Sequence, residues 1–183
     1  METTVLYAEM IIIGLEASLW IGILSVMLTD LKTWSVIKYL FEKIPAAIFF
    51  LGMLYILGIT VDRLADLLLS DFEKKIKKES KLDAKSSILI WKNAGQETYF
   101  LYTRSRIRIL RASVINFPLI TLSAFLLTYK LMPQYIFFIS FVIFLGFLFT
   151  ATAFRGYKET VTSYYKKARL LELEAKKARS SPK

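Results

Sequence analysis

The pattern of apolar and polar positions divides the chain into four long apolar stretches separated by charged segments. The stretches cover residues 5–29, 45–69, 107–129 and 134–154, and we call them spans one to four. Each approaches the roughly 20 apolar residues that a helix needs to cross a bilayer. The pattern therefore predicts an all-α integral membrane protein with four transmembrane helices.

The charged segments predict the rest of the organisation. Residues 30–44 place apolar residues at helical intervals among charges, which indicates an interfacial helix that completes a first transmembrane hairpin over residues 1–69. Residues 70–106 form a basic helical region, residues 107–154 a second transmembrane hairpin, and residues 155–183 a basic C-terminal helix and tail. Few helix breakers follow span two or precede span three, so we expect spans two, three and four to continue as cytosolic helices. Residues 86–95 favour either a brief helix ended by Gly95 or one half of a β-hairpin.

Composition narrows the function classes. The chain has 183 residues, of which 55% are hydrophobic, and it contains neither Cys nor His; its mean hydropathy is +0.47. Thiol nucleophiles, imidazole bases and the usual zinc or copper sites are therefore excluded. The sequence also lacks a Gly-rich phosphate loop and a G-x-S-x-G elbow. We expect no cofactor and no enzyme, although a pair of carboxylates remains a catalytic alternative.

The distribution of charge predicts an orientation. Of the 25 basic residues, 11 lie in residues 70–111 and 9 in residues 155–183. Because basic residues stay on the cytoplasmic side, both segments are predicted to be cytoplasmic. Four spans then place the N-terminus on the same side as the C-terminus. We expect a multi-pass protein of the cell's inner (cytoplasmic) membrane.

Span one carries an unusual stripe of carboxylates. Glu2, Glu9 and Glu16 follow one another at intervals of seven residues, which places them within about 40° of one face of a helix. Trp20 continues this face, and small residues form the opposite face: Gly14, Ser18 and Gly22. Small residues at this spacing let helices approach closely.

Two interpretations of this stripe stay open. Glu16 is either a neutral, hydrogen-bonded side chain in the bundle core or a residue of an ion pathway, because a lone charge at that depth is costly. A four-helix monomer has little room for a pore, so conduction needs several copies around an axis. In that case we expect Glu9, Glu16 and Trp20 to line the pore.

Spans two and three predict a buried ion-pair cluster. Asp62, Arg63 and Asp66 lie at the cytoplasmic end of span two. Arg104, Arg108 and Arg111 share one face at the matching end of span three, with Arg106 on the opposite face. We expect a mainly structural cluster of Asp62, Arg63, Asp66, Arg108 and Arg111, which Glu9 can join. Glu16 lies deeper than any of these arginines.

The basic cytosolic region permits a second kind of site. Its charge serves at least to orient the chain and to attract anionic lipid. The alternative is a pocket for an anionic nucleotide or oligonucleotide, with arginines on phosphates and aromatic rings stacked on bases. The candidate residues for this pocket are Arg104, Arg106, Lys92, Trp91, Tyr99 and Tyr102.

The C-terminal segment shows a short heptad pattern. Apolar positions alternate at intervals of three and four residues over Val161, Tyr164, Ala168, Leu171, Ala175 and Ala178. This pattern is typical of a coiled-coil seam. It indicates either packing on the chain's own cytosolic helices or self-association.

In general character the chain resembles the small multi-span effectors and sensors of prokaryotic antiphage systems, which join a minimal membrane bundle to a small cytosolic part. The resemblance lies in composition and carries no motif. It implies a regulated pore, and we expect a homo-oligomeric channel or pore-forming effector gated through its basic cytosolic helices. The alternative is a non-conducting membrane anchor or sensor that recruits a soluble partner protein or binds an anionic ligand. Membrane lipids and further copies of the chain are the expected partners.

Overall fold

A computed structural model describes residues 2–28, 44–80 and 95–180, and these residues form four helices without any strand. The helices are α1 (Glu2–Leu28), α2 (Ile44–Glu79), α3 (Glu97–Leu131) and α4 (Ile136–Ser180). The predicted interfacial helix and the segment before Gly95 lie outside the described residues. Gly95 itself has a φ of 63°, which suits glycine at a turn before α3.

Each helix contains a stretch that is long and apolar enough to cross a membrane. The chain is therefore a candidate multi-pass membrane protein. α2, α3 and α4 have 36, 35 and 45 residues, which corresponds to roughly 50–70 Å at 1.5 Å per residue. The hydrocarbon core of a bilayer is only about 30 Å thick. Each of these helices thus continues past its apolar stretch, and all three do so at the same end, which we call the basic end.

The exposed surface of the apolar stretches also fits a lipid environment. Large side chains of α4 point outward from the protein, and Phe137 is 87% exposed. A water-soluble monomer rarely exposes so large an apolar surface. The four predicted spans therefore agree with the helices in position and in surface character.

The helices pack as a row along part of their length. α1 lies between α2 and α3, and α4 packs on the other side of α3. α2 meets α4 at the basic end, where the Phe72 ring lies 5.4 Å from that of Phe154 and 6.1 Å from that of Tyr157. The extensions of α2, α3 and α4 thus form a compact three-helix unit.

Two glycines set the contact between α1 and α2. A Cβ atom on Gly14 would overlap the carbonyl oxygen of Leu54, and one on Gly58 would overlap the carbonyl oxygen of Met10. The small-residue face of span one is therefore used inside the chain at Gly14. A Cβ atom on Gly22, in contrast, would meet nothing within 4 Å.

The C-terminal heptad packs against the chain's own helices. Val161, Tyr164, Ala168 and Leu171 are buried in one apolar core together with Ile76 of α2 and with Phe100 and Ile107 of α3. Ala175 is half-buried and Ala178 is exposed, so the pattern weakens towards its end. Of the two interpretations of the heptad, packing within the chain accounts for its apolar positions.

Candidate functional site

The most polar part of the molecule lies where α2, α3 and α4 converge at the basic end. On α3, Arg104, Arg108 and Arg111 recur at intervals of four and three residues, so one helix face carries all three guanidinium groups. On α2, Asp62, Asp66 and Glu73 present carboxylates towards that face. The helical period of each sequence thus brings acids and bases together.

Arg111 is the centre of this arrangement. Its Nη2 donates to Oδ1 of Asp62 at 2.8 Å, and its Nη1 donates to Oδ1 of Asp66. Nη1 also lies 4.0 Å from Oε2 of Glu73. The Arg111 side chain is only 10% exposed, so these carboxylates compensate a charge that would be costly to bury alone.

Glu73 extends the network to α4. The hydroxyl of Tyr165 donates to Oε1 of Glu73 at 2.7 Å. Burial, reinforced by the Glu73 carboxylate, raises the pKa of Tyr165 above its ordinary value of 10.0, so the phenol stays protonated and remains a donor. Arg111, Glu73 and Tyr165 therefore connect three helices through their side chains.

A pocket of about 460 Å³ opens beside this network. Arg63 and Arg104 line it and are exposed, and neither has an acidic group within 4.0 Å among the described residues. We call these two residues the unpaired arginines. The lining is completed by the three carboxylates of α2 and by Ile107, Arg108, Arg111, Tyr164 and Tyr165.

Arg108 pairs with Glu9, which the sequence placed as a possible member of the cluster, and has no contact within 4.0 Å with the two aspartates of α2, its expected partners. Its Nε lies 3.2 Å from Oε2 of Glu9 in α1, whose side chain is 4% exposed. Arg108 therefore pairs with α1, whereas Arg111 of the same helix pairs with the aspartates of α2. Arg63, also expected in the cluster, is exposed at the pocket and has no described acidic group within 4.0 Å.

Glu16 also faces α3 of its own chain. Ser113 Oγ donates to its two carboxylate oxygens at 2.9 and 3.0 Å, and Asn116 Nδ2 donates to Oε2 at 3.2 Å. The Oδ1 atom of the fully buried Asn116 in turn accepts from Trp20 Nε1 at 3.2 Å. Glu9, Glu16 and Trp20 thus all contact α3, and their role in a pore of several copies stays a prediction.

Sequence reasoning missed Ser113 and Asn116 as partners of Glu16. The sequence analysis expected a partner of Glu16 to be a basic residue at the same depth, whereas Ser113 and Asn116 are neutral. The available signal was the placement of polar residues three and seven positions apart on one face of an apolar span: Ser113, Asn116 and Ser123. All three are buried, as expected for polar side chains that face a neighbouring helix.

The predicted ligand residues are divided between the pocket and the surface. Arg104 lines the pocket, whereas Arg106 lies on the opposite face of α3 with its guanidinium 5.8 Å from the Tyr102 ring. Tyr99 and Tyr102 are exposed and do not line the pocket. Trp91 and Lys92 lie outside the described residues.

Comparison with protein-family models, curated proteins and solved structures gives no match. Within the described ranges no group of three acidic side chains is placed to hold a metal ion. What the site does offer is guanidinium groups on an accessible wall, which suit the oxygens of a phosphate or carboxylate.

Proposed function

We propose that this protein is a multi-pass membrane receptor that binds a phosphate-bearing ligand in the pocket between α2, α3 and α4. The basic end faces the cytoplasm in this proposal, because Lys and Arg concentrate there. The site then samples ligands at the inner surface of the cell membrane. This is the sensor alternative of the sequence analysis, with the binding site assigned to named residues.

The observation that carries the proposal is the pair of unpaired arginines. Arg111 and Arg108 are held by carboxylates of α2 and α1, so their charge is compensated within the fold. Arg63 and Arg104 line the same pocket without an acidic partner among the described residues. A guanidinium presents a planar set of donors that matches phosphate oxygens in pairs.

A binding measurement on the full chain in mild detergent tests the proposal, with inorganic pyrophosphate as the probe. Replacing Arg104 with Gln removes one charged contact, which corresponds to roughly 1.5–3 kcal/mol and hence to about a tenfold to hundredfold loss of affinity. The matched control is Arg106→Gln, since Arg106 belongs to the same helix but lies outside the pocket lining. Equal losses in the two variants would reject the site.

A second candidate function is the homo-oligomeric channel, and one observation favours it. Glu16 is only half-buried in the single chain, and its neighbours Ile12, Leu15 and Leu19 are exposed and apolar. A carboxylate at that depth is costly to leave against lipid. Further copies packed on α1 would cover it, and a ring of such copies would place it beside an axis. The mass of the assembly in mild detergent tests this candidate, and a monomer rejects it.

A further inference from the structure

The charges around the pocket are distributed unevenly. A single guanidinium, that of Arg111, faces the carboxylates of Asp62, Asp66 and Glu73, so negative charge is in excess on that side. We call these three carboxylates the acidic wall. Asp66 has a side chain that is 49% exposed and can be reached from the pocket. Arg63 and Arg104 contribute the opposite charge from accessible positions.

We infer that the ligand carries a phosphate and a primary ammonium a few bonds apart, as in a phosphoethanolamine group. This inference rests on the proposed function and names the ligand of that same site. The phosphate binds the unpaired arginines, and the ammonium donates its N–H groups to the acidic wall. An ammonium has three donors, and hydrogen bonds between ionised partners are about twice as strong as neutral ones. A ligand with phosphate alone would leave the excess negative charge of the acidic wall, beyond the single charge of Arg111, uncompensated.

The aromatic residues of the pocket disfavour a nucleotide. Tyr164 is 5% exposed, and its ring is packed edge-on against Phe100 at 5.4 Å and Tyr165 at 5.2 Å. The hydroxyl of Tyr165 is held by Glu73. Among the residues that the structure describes, no fully exposed aromatic ring therefore lines the pocket to stack on a base, a contact that favours the binding of nucleotides. The exposed rings of Tyr99 and Tyr102 lie outside the lining.

The depth of the pocket favours a lipid headgroup as the source of this group. Asp62 lies seven residues inside the end of the apolar stretch 45–69, and Arg111 lies four residues inside the end of the stretch 107–129. The pocket that both residues line therefore reaches about one to two helical turns inside the ends of the spans. A phosphoethanolamine headgroup of the inner leaflet already lies at that boundary. Basic pockets between transmembrane helices are known binding sites for lipid headgroups.

Calorimetric titration of the full chain in a non-ionic detergent tests the inference with soluble probes. These are phosphoethanolamine, phosphocholine, inorganic phosphate and adenosine monophosphate. We expect phosphoethanolamine to bind at least about tenfold more tightly than phosphocholine or phosphate, because only its ammonium donates hydrogen bonds to the acidic wall. A short-chain phosphatidylethanolamine below its micellar concentration should bind more tightly still, since its acyl chains enter the apolar surroundings.

Three variants assign the two parts of the ligand. Asp66→Asn should abolish the preference for phosphoethanolamine over phosphate, whereas Arg104→Gln should weaken the binding of both probes. Arg106→Gln serves as the control and should change neither. If Asp66→Asn no longer elutes as the folded protein in size-exclusion chromatography, the inference is tested by comparing phosphoethanolamine with phosphocholine on the unmodified chain.

The possible failures are distinct. Equal affinity for phosphoethanolamine and phosphate, or tightest binding of adenosine monophosphate, overturns the inference but leaves the proposed receptor function in place. If the short-chain lipid binds no better than soluble phosphoethanolamine, the claim that the ligand is a lipid headgroup is rejected. Absence of binding of every probe at millimolar concentration, or equal effects of Arg104→Gln and Arg106→Gln, overturns both the inference and the proposed function.

Discussion

Gly14 of α1 and Leu54 of α2 lie so close together that a single Cβ atom on Gly14 would overlap the Leu54 carbonyl oxygen. The obstacle is backbone, which cannot rotate away as a side chain could. The same relationship recurs about one helical turn earlier on α1, where Gly58 of α2 meets the Met10 carbonyl oxygen. The two helices are therefore joined through paired glycines.

Substitution of Gly14 by Ala should destabilise the fold by at least 1–3 kcal/mol, about the cost of inserting a methyl group into a packed contact. The matched control is Gly22→Ala, on the same helix, where a Cβ atom meets nothing within 4 Å. There the change should stabilise slightly, since Ala is the better helix former. Thermal unfolding in detergent measures both variants, and equal melting temperatures would contradict the contact.

Replacement of Arg111 by Gln should cost up to roughly 3–5 kcal/mol, the cost of breaking a buried ion pair, because it leaves the largely buried Asp62 without its counter-charge. The control is Arg155→Gln, since Arg155 pairs with Glu159 at 2.8 Å on an exposed helix face. An exposed pair of this kind contributes about 0.5 kcal/mol or less. Unfolding curves of the two variants give the comparison, and similar losses would show that Arg111 is not the centre of the network.

Double-mutant cycles should separate the two arginines of α3. Glu9→Gln with Arg108→Gln should show a coupling energy of about 0.5–3 kcal/mol, as neighbours do. Asp62→Asn with Arg108→Gln should be nearly additive, because Arg108 is paired with Glu9 rather than with α2. The reverse result would restore the pairing that the sequence predicted.

Removal of the Tyr165 hydroxyl should weaken the junction of α2 and α4. Tyr165→Phe deletes the donor to Glu73, at a cost of roughly 1.5–3 kcal/mol for a hydrogen bond to a charged group. The exposed Tyr102 provides the control variant, Tyr102→Phe, for which little change is expected. An unfolding measurement that finds the two variants alike would exclude a contribution from this hydrogen bond.

The same residue predicts a dependence on pH. Burial raises the pKa of Tyr165 in the folded chain, whereas the unfolded chain releases this proton near pH 10. Above about pH 10 the folded state therefore binds more protons than the unfolded state, and stability falls as pH rises. The fall should be smaller in Tyr165→Phe, and an unchanged slope between pH 9 and 11 would contradict the assignment.

The channel candidate makes its own prediction at Glu16. Glu16→Gln keeps the side-chain shape and an acceptor for Ser113 but removes the charge, so assembly should survive while the preference for cations falls. The reversal potential across a bilayer under a salt gradient measures that preference. A parent protein that conducts nothing, or a variant with unchanged selectivity, would leave Glu16 as a packing residue bound to Ser113 and Asn116.

The helices themselves could be predicted from the sequence, because both the apolar runs and the absence of breakers are local features. α2 continues ten residues past span two to Glu79, and α3 begins ten residues before span three at Glu97, which agrees with the expected continuation of these spans as helices. The arginine face of α3 was equally visible from its period. The positions of the apolar and charged stretches were thus enough to predict four long helices and their basic extensions.

The pairing of side chains between helices was harder to predict. Helical period tells which residues share a face, but not which helix that face meets. Because α3 contacts both α1 and α2, Arg108 meets Glu9 of α1 while Arg111 meets the aspartates of α2. Which helices are neighbours depends on the paired glycines and on neutral polar residues such as Asn116. Such residues are harder to recognise in the sequence as contacts between helices than charged residues are.

The hydrogen bonds of Glu16 have a consequence for biosynthesis. Its partners Ser113 and Asn116 are 97 and 100 residues further along the chain. At 5–20 residues per second, a ribosome needs about 5–20 s to deliver them after Glu16 itself. During that interval the Glu16 carboxylate lacks its hydrogen bonds from Ser113 and Asn116. We therefore expect a truncated chain that ends after α2 to be a substrate for quality-control proteolysis, because its Glu16 lacks both Ser113 and Asn116.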